Sequence, residues 1–485
     1  MSGINLTVTI ILSLLLGATS DLCANPRETP ETATPILTDF VTPTDITPKS
    51  KQLAPGKTSN HSLTLRNCLE IIERESWEVL IEREGIQQAL QNVYQERARM
   101  LPKAEVQYSW NYRQEVSDVS SASDSNVRFQ RRGPYDRSNA KVLGVVPIID
   151  INKWYDFDAM KRRYEIAEYT EKIETQLILN ASAITFFDFW RAYEESLIIR
   201  KSISRAQELE TIASNQFDSG VASKIDLIRA QVKISDEQEA LISQNTLLSD
   251  IALRLKGILN WGLERPLSLT AYNSPRTTLE EDLNWVLAYS YGNRVDLRRA
   301  EIEIIKNTAV KNAAVARLYP TLTLYGEYGY GGDDYLPDTT IPEYRALFLV
   351  SMPIFDGLEA QARAERARSR IRESEYDLER IQGEIKRQIM ISRTNISNLR
   401  IQNDIVRRKV DLAEEEYVLA KDRFSTGLAS NQESIDALNQ LARVEFDLIN
   451  VHYLQRRAAL EYARSRGDVH LLFKEITPLT RKSGQ

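Results

Sequence analysis

Thr321-Leu322-Thr323-Leu324-Tyr325-Gly326-Glu327-Tyr328-Gly329-Tyr330 changes character at every second residue. Leu322, Leu324, Gly326, Tyr328 and Tyr330 share one side, opposite Thr321, Thr323, Tyr325, Glu327 and Gly329. A period of two places successive side chains on opposite faces of a strand. The same alternation occurs earlier in the chain, where Val106, Tyr108, Trp110 and Tyr112 interleave with Glu105, Gln107, Ser109 and Asn111. Return strands are expected over 140–146 and 346–352, which makes two hairpins, 101–149 and 320–355. Each strand is about as long as a tilted strand must be to cross a bilayer, and Tyr and Trp suit the interfacial girdles of membrane barrels.

The two hairpins belong to a larger duplication. Val145-Val146-Pro147-Ile148-Ile149-Asp150 returns as Ser351-Met352-Pro353-Ile354-Phe355-Asp356, with the prolines 206 positions apart. Phe217-Asp218-Ser219-Gly220-Val221-Ala222-Ser223 returns as Phe424-Ser425-Thr426-Gly427-Leu428-Ala429-Ser430, with the glycines 207 apart. Leu101-Pro102 and Tyr319-Pro320 are offset by 218, so the first copy carries an insertion of roughly ten residues between Pro102 and Pro147. Two copies in one register define two structural units of one design.

Each copy reads as long helix, hairpin, long helix, sharp turn, long helix. The helices are expected over 64–100, 153–215 and 224–259, then over 279–318, 358–423 and 431–466. Ile385, Ile389, Ser392, Ile396, Leu399, Asn403, Val406, Val410, Ala413, Tyr417, Ala420 and Phe424 step by four and three alternately, a sustained heptad seam. A helix of about 60 residues spans roughly 90 Å at 1.5 Å per residue. Gly220 and Gly427 stand where long helices end, at positions suited to a left-handed residue, and Ser223 and Ser430 are placed to cap the helices that follow. Two similar turns per chain make a natural docking rim.

The strand count forces assembly. Four strands cannot close, and an open sheet in lipid leaves backbone N–H and C=O groups without partners. Two, three or four copies would give 8, 12 or 16 strands, all within the known range.

The expected organisation is a signal peptide over 1–24, a Pro/Thr-rich disordered tether over 25–61, a first repeat over 62–262, a linker over 263–278, a second repeat over 279–468 and a tail over 469–485. The leader rests on the apolar run from Ile10 to Leu16 and on Leu22-Cys23-Ala24 as a cleavage site. The tether rests on six prolines in 25–57. Cys23 is a weak candidate for lipidation, because Leu22 precedes it. Cys68 then remains as a single buried thiol. His61, His452 and His470 are scattered and make no metal-ligand spacing, so neither a metal nor a cofactor is expected. A net charge of −6 argues against nucleic acid as the main partner.

The chain resembles the TolC-like outer-membrane efflux proteins over roughly 62–468. The resemblance is carried by Arg294-Val295-Asp296-Leu297 opening a helix that ends at Tyr319-Pro320, by Pro353-Ile354-Phe355-Asp356-Gly357, and by Arg423 to Ser430 followed by Glu433, Asp436 and Ala437. It implies a mostly α protein with transmembrane β structure: a homotrimer with a 12-stranded β-barrel in the outer membrane of a Gram-negative-type bacterium and a long helical barrel in the periplasm. The implied function is the exit duct of a tripartite efflux or type I secretion system. A periplasmic adaptor would couple it to an inner-membrane pump or secretion ATPase. The implied docking tips are Phe217, Gly220, Val221, Ala222 and Ser223 with Arg423, Phe424, Gly427, Leu428, Ala429 and Ser430. The implied acidic ring at the periplasmic entrance is Glu433 and Asp436, with Asp226 as the first-copy equivalent and Arg229 departing from an all-acidic pattern. Three carboxylates around a narrow axis create a negative potential that favours cations, while an acid in a helix's first turn is also favoured by the helix dipole alone. Tyr108, Trp110, Tyr112, Tyr328 and Tyr330 are the expected lipid-facing aromatics. The segments near 117–136 and 331–342 are expected to face outside.

A soluble coiled-coil adaptor or scaffold is the competing class, and it requires the hairpins to be soluble sheets. An enzyme is disfavoured. Gly326, Gly329, Gly331 and Gly332 lie in an aromatic strand and its loop, with no Gly-Lys-Ser/Thr after them.

Overall fold

The computed structural model describes residues 63–119, 128–270, 282–332 and 342–468. The expected leader, tether and tail, residues 271–278 of the expected linker, and the centres of both expected external segments (120–127 and 333–341) lie outside the described residues.

In chain order the described elements are α1 (Leu65–Glu75), α2 (Trp77–Ala98), β1 (Lys103–Val119), β2 (Arg128–Ile149), α3 (Ile151–Asp218), α4 (Lys224–Ile258), α5 (Leu283–Asn293), α6 (Val295–Ala316), β3 (Thr321–Gly332), β4 (Pro342–Ser351), α7 (Glu359–Ser425) and α8 (Asn431–Arg466). Helix, helix, strand, strand, helix, helix thus occurs twice. The first helix expected in each copy is broken. Ser76 interrupts the 64–100 stretch by turning to extended backbone at ψ 136. Arg294, also extended, interrupts 279–318.

One compact unit comprises Gln88–Tyr164 and Ile302–Ser374. Its strands form one antiparallel sheet in the order β1-β2-β3-β4, with β1 and β4 at the edges. The β1 and β2 strands are longer than expected, and the insertion in the first copy lengthens this hairpin. Residues of β2 up to Arg137 pair with β1 alone, whereas Ser138 to Ile149 pair with β3 as well. Both hairpins end on an aspartate that caps the next helix. Lys153 N donates to Asp150 Oδ1 at 3.3 Å and Ala360 N donates to Asp356 Oδ2 at 2.8 Å, which satisfies amide groups that a helix start leaves unpaired. The core of this unit is alanine-rich, with Ala159, Ala309, Ala313, Ala314, Ala360, Ala364 and Ala367 buried. Small side chains let helices approach closely, and Asn152 Nδ2 reaches Ala313 O at 2.7 Å. Burial and the carboxylate of Glu96 raise Asp156 above the usual carboxylate range here.

The second unit takes in described residues 63–87, Glu165–Glu301 and 375–468. In it α1 packs with α3, α4 and α8 around Leu69, Ile72, Phe186, Phe187 and Leu255. Cys68 lies in this cluster, and burial pushes its thiol up to about 12, which makes it inert. The seam along α7 is buried as its heptad spacing predicts: Ile385, Ile389, Ser392, Ile396, Val406, Ala413, Tyr417, Ala420 and Phe424 all face the core. The break at Arg294 follows from its guanidinium. Nη1 contacts Gln388 Oε1 at 3.1 Å and the Arg464 and Ser465 carbonyls at 3.4 and 3.3 Å. It satisfies acceptors that the end of α8 leaves open. Asp296 holds the same guanidinium at 2.9 and 2.5 Å. Burial alone would raise the Asp296 carboxyl, but Arg294 keeps it below the usual range.

Candidate functional site: the helical tips and the two-faced sheet

The α3–α4 and α7–α8 turns are built alike. Gly220 N donates to Phe217 O at 3.0 Å and Val221 N to Gln216 O at 2.8 Å. Gly427 N donates to Phe424 O at 2.9 Å and Leu428 N to Arg423 O at 2.8 Å. Both glycines are left-handed, with φ +77° and +74°, a conformation that costs an L-residue about 1–2 kcal/mol. The turns are joined to each other. Gln216 Nε2 donates to Phe424 O at 2.5 Å and Asn431 Nδ2 to Asp226 O at 2.6 Å. Further along the helices, Arg205 grips Glu445 with both terminal nitrogens at 3.0 and 3.2 Å. Lys421 lies 3.6 Å from Glu208.

The expected docking residues divide. Val221 and Leu428 project, 66% and 75% exposed, and Phe217 is 39% exposed. Phe424 corrects the expectation: at 2% exposure it is packed with Tyr417, Leu438 and Leu441 and has no free face for a partner. Ser430 also departs from expectation. Ser223 forms a full capping box with Asp226, but Ser430 makes no side-chain cap. Ala222 and Ala429 lie in the turns, and Arg423, in the last turn of α7, reaches Glu433 at 3.6 Å.

Asp226 and Glu433 sit in the first turns of their helices and Asp436 about a turn further on, each with a local partner. Asp226 closes the capping box, with Ser223 Oγ at 2.6 Å, and Arg229 lies 4.0 Å away on the same helix. Asp436 accepts from Gln432 Nε2 at 2.9 Å. Among the described residues no cluster of His, Cys, Asp and Glu could hold a metal ion.

The sheet has two distinct faces. Pairing aligns Val106, Val142, Tyr328 and Tyr344 in one row and Tyr108, Ala140 and Tyr330 in the next, so the expected aromatics share a face. Trp110 and Tyr112 continue it in β1, and Phe348 and Val350 in β4. The opposite face is charged. Lys141 Nζ lies 3.2 Å from Glu343 and 3.8 Å from Glu327, and Arg345 lies 3.2 Å from Glu327. Gly329 belongs to this network and not to a phosphate loop. A Cβ there would lie 2.2 Å from Ala140 O, so only glycine lets Lys141 cross the sheet. Sequence reading missed the neighbouring part of this face, where Leu143, Val145, Tyr325, Leu347 and Leu349 gather. Their alternation was visible, but their convergence required the register.

No helix among the described residues is long and apolar enough to cross a membrane. Residues 289–467 match the family described as Outer membrane efflux protein. Nodulation protein T of Rhizobium leguminosarum bv. trifolii is 22% identical over 332 residues, covering 64% of this chain and 67% of that one. The solvent efflux pump outer membrane protein SrpC of Pseudomonas putida is 21% identical over 376 residues, covering 73% and 76%. The CmeC outer membrane channel of Campylobacter jejuni superposes with a TM-score of 0.69 at 16% identity, covering 91% of this chain and 94% of CmeC. Residues 289–467 thus carry the efflux-protein family match, and the fold is that of the TolC-like outer-membrane channels, a likeness that supports placement in the outer membrane with the helical part in the periplasm. The family match favours the outer-membrane channel over the soluble adaptor.

Proposed function

We propose that three copies close a 12-stranded barrel and form a passive exit duct for a tripartite efflux system. The observation that carries this reading is the four-stranded sheet with β1 and β4 at open edges, one face apolar and aromatic and the other charged. In lipid every edge group needs a partner, and β4 of one copy pairing with β1 of the next supplies it. The aromatic face, with Tyr108, Trp110, Tyr112, Tyr328 and Tyr330, then meets lipid, and the charged face lines the lumen. The two repeats give each chain two hairpins and two tips. The exposed tip residues Phe217, Val221 and Leu428 are the docking surface for a periplasmic adaptor, which links the duct to an inner-membrane pump. Glu433, Asp436 and Asp226 ring the entrance, with Arg229 neutralising part of the charge in each copy. Type I secretion uses the same duct design, but the name of SrpC favours small organic cargo. The energy comes from the pump, and the duct catalyses no reaction.

Particle imaging of the detergent-purified chain tests this. The expected result is a threefold hollow cylinder well over about 100 Å long, from helices of more than 60 residues at 1.5 Å each, with a short barrel at one end. A dimeric rod without a barrel would overturn it.

A further inference from the structure

We propose that the charged face of the sheet carries a binding site for uncharged aromatic or apolar molecules in transit, seated on Leu143, Val145, Tyr325, Leu347 and Leu349. The inference rests on the duct reading, because it takes this face to be the lumen wall, and it specifies the cargo class.

This face forms a depression of about 870 Å³. It is floored by the five apolar side chains and bordered by Lys103, Glu105, Glu327 and Arg345. Its volume lies in the range of small-molecule sites, which combine an apolar floor with a few polar groups. Tyr325, Leu347 and Leu349 remain 40–45% exposed. A water-filled lumen gives such residues no packing benefit, since apolar surface left in water is unfavourable. The sheet does not need them there, as its lipid-facing requirement is met by the other face.

The border selects the charge of the occupant. It holds two cationic and two anionic side chains, with no net charge. Glu327 is held by Arg345 at 3.2 Å and by Lys141 at 3.8 Å, so its carboxylate is already compensated. A cation would have to displace one of these partners, and an anion would meet Glu327. An uncharged solute with an aromatic or apolar body covers the floor and leaves the ion pairs intact.

The probe is 4-nitrophenyl β-glucoside, with methyl β-glucoside as the control that keeps the sugar and lacks the ring. Saturation-transfer NMR on the purified full-length assembly is expected to show saturation on the nitrophenyl protons and none on methyl glucoside. L347S/L349S should weaken nitrophenyl glucoside binding by about tenfold or more, as loss of two leucine contacts implies. Y344S, on the opposite face, should leave binding unchanged. Equal signals from both glucosides, retention of binding in L347S/L349S, or its loss in Y344S would overturn the site. Particle imaging of the same samples separates this from failure of the duct: a threefold barrel without ring-selective binding sinks the site alone.

Discussion

The two helical tips have nearly the same turn and opposite fates for their phenylalanines. Phe217 stands 39% exposed and Phe424 is buried at 2%, although each accepts the same backbone bond from the glycine three residues on. The difference lies in what surrounds them. Phe424 closes a heptad seam that packs against α8, with Tyr417, Ala420 and Leu438 beside it. Phe217 lies in the last turn of α3 and belongs to none of the buried clusters. The caps differ in the complementary sense, with a full box at Ser223 and none at Ser430. Phe424 adds packing that Phe217 lacks, and Ser223 adds a side-chain cap that Ser430 lacks, so one turn motif is stabilised by a different balance of forces.

The largest test of this contrast is Phe424→Ala against Phe217→Ala. Loss of a buried phenylalanine costs about 3–5 kcal/mol, and loss of an exposed one stays within about 0.5 kcal/mol. Hydrogen exchange at the tip amides should therefore accelerate in Phe424→Ala and stay near wild type in Phe217→Ala. Equal acceleration would mean that the two tips share one packing environment. Next in size is Ser223→Ala, expected to lower the stability of α4 by about 1 kcal/mol. Ser430→Ala should fall within a few tenths, because no side-chain cap is lost. A denaturant titration followed by helical circular dichroism compares the two, and a larger loss at Ser430 would refute the division of forces.

The smallest effect at neutral pH belongs to Tyr417, which the first tip lacks. Burial, aided by the Glu208 carboxylate and opposed by Arg205, pushes its hydroxyl up to about 12. An unfolded tyrosine titrates near about 10. The folded chain thus keeps a proton that the unfolded chain gives up. This contribution is fully present below about pH 10 and is lost as pH rises toward 12. Melting temperature should fall across that window in the wild type and less steeply in Tyr417→Phe. Because the Tyr417 hydroxyl has no hydrogen-bond partner, the substitution should be neutral or slightly stabilising at pH 7. Superimposable alkaline profiles would remove Tyr417 from the account.

Much of this was legible from periodicity. The α7 seam and the alternation in β3 each follow from one helix face or one strand face meeting a neighbour, and a linear pattern records that. The α8 boundaries came out as expected, because Ser430 and Gly467 bracket an unbroken apolar repeat. What could not be read depended on distant partners. Ser76 looks like an ordinary helix residue; at Arg294 the family motif marked a helix start, but not that its guanidinium reaches two carbonyls at the end of α8. The burial of Phe424 rather than Phe217 likewise depends on which helix passes alongside. The apolar floor of the sheet combines residues from β2, β3 and β4, so only the register brings them together.

The unequal hairpins have a consequence beyond transport. Backbone pairing of β1 with β2 continues past the last residue that β3 supports. With three copies closed as proposed, three two-stranded ribbons stand above the rim, on the side away from the periplasm. These ribbons would be the part of the molecule displayed to antibodies and bacteriophages. Selection there would favour novelty, while the walls below would be held to geometry. The first hairpin should therefore diverge fastest among related strains, and an antiserum raised against its outer half should label intact cells.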